Sequence, residues 1–360
     1  MAKVGLAMDL TALLQKLSQT DGISGHEAAI RAIVLEEFGR FAHETRVDKI
    51  GNALAIRRGA DRARRGKPRQ IMLASHMDEI GLMVAGINRG FIRVTAIGGV
   101  DARVLPGQEV IVHGRRDLPG IIASVPPHLL KADERGKAIA TDRLWIDVGR
   151  PAKQVERWVQ IGDLVSLQCT TIELKNGLLS GKAFDNRASI AAVAVCLEHL
   201  QHRQHRWDVI AVATVQEEIE SLGAATAAFG LAPDMAIAID TTYGKQDGTP
   251  DPESFAVGQG PTIGLGPNMH PKMVQGLFDA AKRLELDTHL EPIPGNSLTD
   301  GWAIQVARAG IPTGLIEIPI RSMHTPVEVV APADVERAGR LLAEFVCGLD
   351  EEFYQSLIDS

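Results

Sequence analysis

Two adjacent glutamates, Glu217 and Glu218, follow the apolar run Asp208–Val215 after a single Gln216. A run of that kind is the mark of a buried strand, and the carboxyl ends of strands are where open α/β sheets carry their chemistry. Two neighbouring carboxylates repel each other unless positive charge lies close. Other apolar runs end in the same way. Ile71–Ser75 leads into His76, Met77 and Asp78, and Asp234–Ile239 stops at Asp240. Thr313–Ile318 precedes a loop carrying His324, and Leu178–Phe184 ends on Asp185. Five strand ends that each supply a His, Asp or Glu are explained most economically by a pair of divalent metals at one edge of one sheet.

A pair of metals needs a carboxylate between them, because the shared group must offer two oxygens and offset positive charge. Asp185, between a strand and a helix start, suits that role. The other ligands divide into His76 with Asp240, and Glu218 with His324, which leaves room for a bridging water. Glu217 is then free to act as the general base. Asp78 lies two residues beyond His76, on the same side of an extended segment, and can accept the imidazole N–H. Taken singly, each residue has a plainer reading: a lone H-x-D is a surface turn by about five to one, and a Glu-Glu pair usually opens a solvated helix. The conjunction of five strand ends reverses those odds. His199, His202 and His205 are expected on a solvated helix end, without function.

The elements that must position these groups can be read along the chain. Residues from about Leu10 to Arg40 are helical, broken by a turn at Asp21–Gly25. Strands follow as far as His76. From about Gly81 to Gln168 the texture changes to short β-runs such as Phe91–Ile97, Glu109–Val112 and Leu144–Val148, rich in Gly and Pro, with almost no helical period. The expectation is an α/β fold with a mixed central sheet and helices on both faces, carrying a small inserted all-β domain. Residues 1–80 plus 169–360 form the catalytic domain, and 81–168 a barrel-like insertion. A helix over Arg187–Leu200 presents Ile190, Val193, Ala194, Leu197 and Leu200 on one face. Another starts near Pro332 and buries Val335, Ala338, Leu341, Leu342 and Phe345.

Composition limits the rest. A chain of 360 residues is long enough for two domains or for one core with a large insertion. Its longest apolar runs fall far short of the roughly 18 residues of a membrane span. The N-terminus shows no signal-peptide pattern, and Cys169, Cys196 and Cys347 are scattered without metal-knuckle spacing. A cytoplasmic location is expected, with no membrane partner. A net charge of −7 argues against nucleic acid as a partner. The basic run Arg57–Arg69 reads as a solvated hairpin loop rather than an anion-binding patch, by about four to one.

The motifs also resemble a known family. H-M-D-E-I-G-L-M-V from His76, G-K-A-F-D-N-R-A from Gly181, V-Q-E-E from Val215 and I-P-I-R-S-M-H-T-P-V-E from Ile318 are similar to the TET-type dinuclear-metal aminopeptidases, which include glutamyl and deblocking aminopeptidases. V-L-P-G-Q from Val104 and P-P-H-L-L from Pro126 extend the likeness into the insertion, so that it runs from about Leu10 to Phe345. The resemblance implies a zinc-peptidase-like sheet, peptide substrates and two metal ions per chain, zinc or cobalt. It gives the same ligand assignment: His76 and Asp240, Glu218 and His324, with Asp185 bridging, Glu217 as base and Asp78 behind His76. It also implies a cis bond between Asp185 and Asn186, and a hollow dodecamer in which the insertion serves oligomerisation. The segment bordering the substrate pocket in relatives reads Asn296-Ser297-Leu298-Thr299-Asp300 here, which makes Ser297, Thr299 and Asp300 the candidate substrate contacts. Gly244–Glu253 is longer and more polar than the family pattern, and Asn186 stands where a second Asp is common. Two alternatives remain at this point. One is a glycoside hydrolase, since family members have been described as endoglucanases; with only 4% aromatic residues, this chain offers few rings to stack on sugars. The other is a non-catalytic binding protein on the same fold, which should have lost Glu217 or a ligand.

Overall fold

A computed structural model describes residues 8–61, 68–133 and 136–359; residues 62–67 of the basic run lie outside this description. The chain opens with α1 (Leu10–Gln19), capped by the Asp9 carboxylate, and α2 (Ala28–Gly39). Strands β1 (Glu44–Val47), β2 (Ala53–Arg57) and β3 (Gln70–His76) follow. Next come β4 (Gly81–Asn88), β5 (Phe91–Ile97), β6 (Glu109–His113), β7 (Asp117–Ala123), β8 (Trp145–Asp147), the short α3 (Ala152–Trp158) and β9 (Leu164–Leu167). After β10 (Ile172–Glu173) and β11 (Leu179–Gly181), strands and helices alternate: α4 (Phe184–Gln201), β12 (Asp208–Thr214), α5 (Leu222–Leu231) and β13 (Met235–Tyr243). The remainder is β14 (Thr262–Leu265), α6 (Pro271–Arg283), β15 (His289–Pro292), α7 (Asp300–Gln305), β16 (Thr313–Ile320), β17 (Glu328–Val330), α8 (Pro332–Gly348) and α9 (Glu351–Ile358).

Eight strands form one mixed sheet in the order β1-β2-β12-β3-β13-β16-β14-β15. Its central four, β12, β3, β13 and β16, run parallel, so their carboxyl ends share an edge. Alternation along β3 shows how both faces are covered. Ile71 and Leu73 join the core beneath α1, α2, α4, α6 and α8, while Met72 and Ala74 pack on the opposite face against Ala224 and Ala227 of α5 and Ile304 of α7. All seven residues of β12 are buried, as a strand covered on both sides requires.

Strands β4-β5-β8-β7-β6-β9 close into a separate antiparallel barrel. Leu118 and Ile122 of β7 alternate inward and join Val84, Ile92, Val112 and Ile146 in its core. Closure leaves this small unit without an open sheet edge.

The helix over 187–200 was expected to bury one face, yet α4 is buried on every side, including Ser189 and Arg187, because it lies between the sheet and α8. β13 does not stop at Asp240 but continues through Tyr243, paired with β16 as far as Ile320. The strand before Asp185 ends at Gly181 and belongs to a small antiparallel sheet, β10-β11-β17, rather than the central one. His205 is buried off the end of α4, its Nδ1 2.8 Å from the Trp207 carbonyl.

Candidate metal centre

His76 ends β3 beside Thr214 of β12 and is almost fully buried. Immediately after β12 the chain turns at Gln216, whose φ of 58° lies in the left-handed region, and the turn brings Glu217 and Glu218 back over the sheet edge. Asp78 secures that turn. Its Oδ1 accepts the Glu217 N–H at 3.1 Å and its Oδ2 the Glu218 N–H at 3.2 Å, while Ser24 Oγ donates to Oδ2 at 2.6 Å. Asp78 Oδ1 also lies 3.5 Å from His76 Nδ1. On the far side Glu328, unrecognised in the sequence, receives the Asp185 N–H on Oε2 and the His324 N–H on Oε1, both at 3.0 Å. The Asp185–Asn186 peptide bond is cis.

These elements bring His76, Asp78, Asp185, Glu217, Glu218, Asp240 and His324 into one cluster. Asp185 lies between the two histidines, with Oδ1 3.2 Å from His76 Nε2 and Oδ2 3.2 Å from His324 Nε2. Asp240 Oδ1 is 3.8 Å from His76 Nε2, and Glu218 Oε2 is 3.5 Å from His324 Nε2. Two sets of ligand atoms result, His76–Asp185–Asp240 and Asp185–Glu218–His324, each with all its atoms within 4.8 Å of one another. Glu217 Oε2 stands 3.8 Å from His76 Nε2, beside the first set.

The electrostatics fit cations. Burial pushes Glu217 up to about 7, against the pull of His76. Burial, reinforced by Asp185, holds Glu218 well above the carboxylate range, and Asp240 is raised by burial and by Glu217. Burial alone would lower both imidazoles; Glu217 and Asp185 lift His76 well above its ordinary value, and Asp185 raises His324. Only Asp185 and Asp78 are held low despite burial, Asp185 by its hydrogen bonds to His324 and His76, Asp78 by those to His76 and Ser24. A site in which buried carboxylates resist ionisation beside two imidazoles lacks positive charge. Glu218 Oε1, buried and without a hydrogen-bond partner, marks the same deficit. Divalent cations match this donor set of carboxylate oxygens and imidazole nitrogens.

The cluster opens into a cleft of about 970 Å³. Ser297 and Thr299 line it, but their hydroxyls face each other at 2.9 Å, and Thr299 caps α7 by accepting the Gly301 N–H. Asp300 is fully buried and accepts the Thr214 hydroxyl at 2.5 Å. The insertion also reaches the site: the Gly99 carbonyl, in the loop after β5, lies 3.2 Å from His324 Nδ1. The sequence offered little sign of Gly99 or Glu328, except that Glu328 falls at the end of the motif containing His324.

A mixed sheet with helices on both faces, and a histidine–carboxylate cluster at the carboxyl edge of its parallel strands, is the architecture of metal-dependent peptidases. The chain belongs to the M42 glutamyl aminopeptidase family, whose model matches residues 51–341, and it is a hydrolase acting on peptide bonds. It is 32% identical to a lysyl aminopeptidase of Pyrococcus furiosus over 335 residues, covering 91% of this chain and 94% of that one. Among solved structures, a TET aminopeptidase from a marine-sediment archaeon of the Thaumarchaeota superposes with a TM-score of 0.90 at 31% identity, covering 97% of this chain and all of that one. The TET1 peptidase of Pyrococcus horikoshii, which can assemble into a tetrahedron or a large octahedral shell, superposes with a TM-score of 0.81 at 28% identity, covering 95% and 100% of the two chains. No described helix is long and apolar enough to cross a membrane.

Proposed function

We propose that the chain is an aminopeptidase that removes N-terminal residues from peptides at a centre built for two divalent cations, zinc or cobalt. The carrying observation is the pair of ligand sets that share Asp185, with Glu217 beside them and the cleft in front. His76 and Asp240 would hold one cation, Glu218 and His324 the other, with Asp185 common to both. When bound, the cations supply Lewis acidity and a water of lowered pKa. Glu217 takes the proton of the attacking water on its carboxylate and passes it to the leaving amine, work that its position against His76 and its raised pKa suit. Asp78 fixes the backbone of Glu217 and Glu218 and faces the second nitrogen of His76. Asp185 and His324 are held in register through their amides by Glu328.

Residues 81–168 form, in this reading, an oligomerisation domain inserted in a catalytic domain of residues 1–80 and 169–360, and twelve chains close into a hollow shell. Exposed apolar side chains on both parts support extensive contacts, Leu129 and Ile161 on the insertion and Phe229 and Val306 on the catalytic domain. Ser297, Thr299 and Asp300 form the wall of the substrate pocket and the layer behind it. Three unpaired cysteines accord with a reducing cytoplasm. The reading is tested by assaying one pure preparation on aminoacyl-anilides and on soluble cellulose, before and after chelation and again after zinc or cobalt is restored. Chelator-sensitive release of the aniline, with no action on cellulose, is expected. Cellulose hydrolysis, or anilide turnover indifferent to chelator, would overturn it.

A further inference from the structure

The loop that carries Glu217 and Glu218 is closed at its base. The Gly223 N–H donates to the Val215 carbonyl at 3.0 Å, and the Leu222 N–H to the Gln216 carbonyl at 3.2 Å. Asn52, fully buried, ties the same two ends together: its Oδ1 accepts the Val215 N–H at 2.9 Å and its Nδ2 donates to the Gly223 carbonyl at 3.0 Å. Within this frame Glu220 and Ser221 have φ of 97° and 53°, in the left-handed region that residues other than glycine rarely adopt. Two such residues in succession, on the wall of the cleft, mark a backbone held where it would not settle by itself.

Ser221 immediately precedes α5, and a serine there ordinarily turns its hydroxyl back onto the helix to accept an amide of the first turn. It does not do so here. The hydroxyl instead donates to Glu217 Oε1 at 3.2 Å, while the Ser221 N–H donates to the Glu217 carbonyl at 2.9 Å. One residue thus holds Glu217 by its main chain and by its carboxylate. The other oxygen, Oε2, is left facing His76 Nε2 at 3.8 Å, beside the first ligand set.

We propose that Ser221 is a positioning residue for the general base, its hydroxyl pinning Glu217 Oε1 so that Oε2 is the oxygen that takes the proton of the attacking water. The inference rests on the role given to Glu217 above and adds to it. Ser221 keeps its own proton throughout; the water proton goes to Oε2 and from there to the leaving amine. Glycine would meet the left-handed backbone at no steric cost, and an ordinary cap would serve α5 better. The serine meets neither demand and serves the carboxylate. A carboxylate free to rotate about its last bond presents its basic lone pair to the water only part of the time, which lowers turnover without weakening substrate binding.

The test uses the full-length, metal-reconstituted enzyme and the aminoacyl-p-nitroanilide that it turns over fastest. Ser221→Ala and Ser221→Gly should each lower kcat about tenfold, with KM and metal content unchanged. Ser221→Gly, relieved of the left-handed strain, should melt above Ser221→Ala, so that activity is lost whether the loop is strained or relaxed. In a Glu217→Gln background, Ser221→Ala should remove almost nothing further, because the hydroxyl acts through that carboxylate. A kcat within about twofold of wild type in both single variants, or a loss that merely follows lost metal, overturns this inference. So does recovery of activity in Ser221→Gly alone, or full additivity with Glu217→Gln; each leaves the aminopeptidase reading standing. Near-normal kcat in fully metallated Glu217→Gln, or no p-nitroaniline released by the wild type from any substrate, overturns the role of Glu217 and this inference with it.

Discussion

Asp78 grips Glu217 by its backbone: the carboxylate Oδ1 accepts the Glu217 N–H at 3.1 Å, and the same group faces His76 Nδ1 at 3.5 Å. One buried side chain thus ties the proposed base to a proposed ligand. Asp78→Ala strands two amides and the Ser24 hydroxyl, and kcat should fall about 10–100-fold with a matching loss of metal affinity. Steady-state kinetics and metal titration read both quantities. A kcat close to wild type would show that the grip is dispensable.

Glu217→Gln preserves shape and removes the proton acceptor. Metal content and fold should persist while kcat drops on the order of 10²–10⁴-fold. Near-normal kcat in a variant shown to be fully metallated would remove Glu217 from the mechanism.

Asp185→Asn should act on metal rather than on chemistry alone, because each oxygen of the Asp185 carboxylate faces one histidine and a neutral amide, with a single oxygen, bridges two cations poorly. Elemental analysis is expected to give about two ions per wild-type chain and clearly fewer in the variant. Retention of both ions would contradict the shared-ligand assignment.

How much of this was legible in the sequence depends on the range of the forces involved. His76 and Glu217 announce themselves because apolar runs stop abruptly at charged residues, and burial forces that pattern. Asp240 reads as a strand end, yet β13 continues because Thr241 and Thr242 are buried by pairing with β16, a contact no local pattern reports. The run before Asp185 reads as a strand of the central sheet, whereas that strand pairs with β17, some 150 residues further on. Glu328 acts on Asp185, and Gly99 on His324, across more than a hundred residues of sequence. Local chemistry was readable; the supports that hold it are tertiary.

Assembly gives a separate test. Leu129, Ile161, Phe229 and Val306 are each at least 60% exposed in the single chain, and contacts between copies would cover them. Under the proposed assembly, light scattering of the active enzyme should return the mass of about twelve chains, and folded proteins should be poor substrates if the shell encloses the sites. A mass of one or two chains in fully active, dilute enzyme would exclude the shell and leave the metal chemistry untouched.

The electrostatics of the centre set the direction in which metal-free protein responds to pH. A carboxyl whose pKa is raised on folding binds more protons folded than unfolded, so its contribution to stability is complete below the unfolded value and is lost as pH rises through the folded one. Burial raises Glu217 from 4.5 to about 7, and Glu218 and Asp240 move the same way. His76 and His324, also raised, contribute in the same sense, since protonated imidazoles stabilise the cluster and are lost on the alkaline side. Asp185 and Asp78 shift downward and oppose this only in strong acid. Chelated protein should therefore melt at a higher temperature near pH 5.5 than near pH 8. Zinc or cobalt should reverse the order, because the cations bind the ionised carboxylates and neutral imidazoles that dominate at the higher pH. Thermal melts at the two pH values, with chelator and with metal, decide it: a metal-free melting temperature that rises toward pH 8 would show that uncompensated carboxylates do not govern the stability of the empty centre.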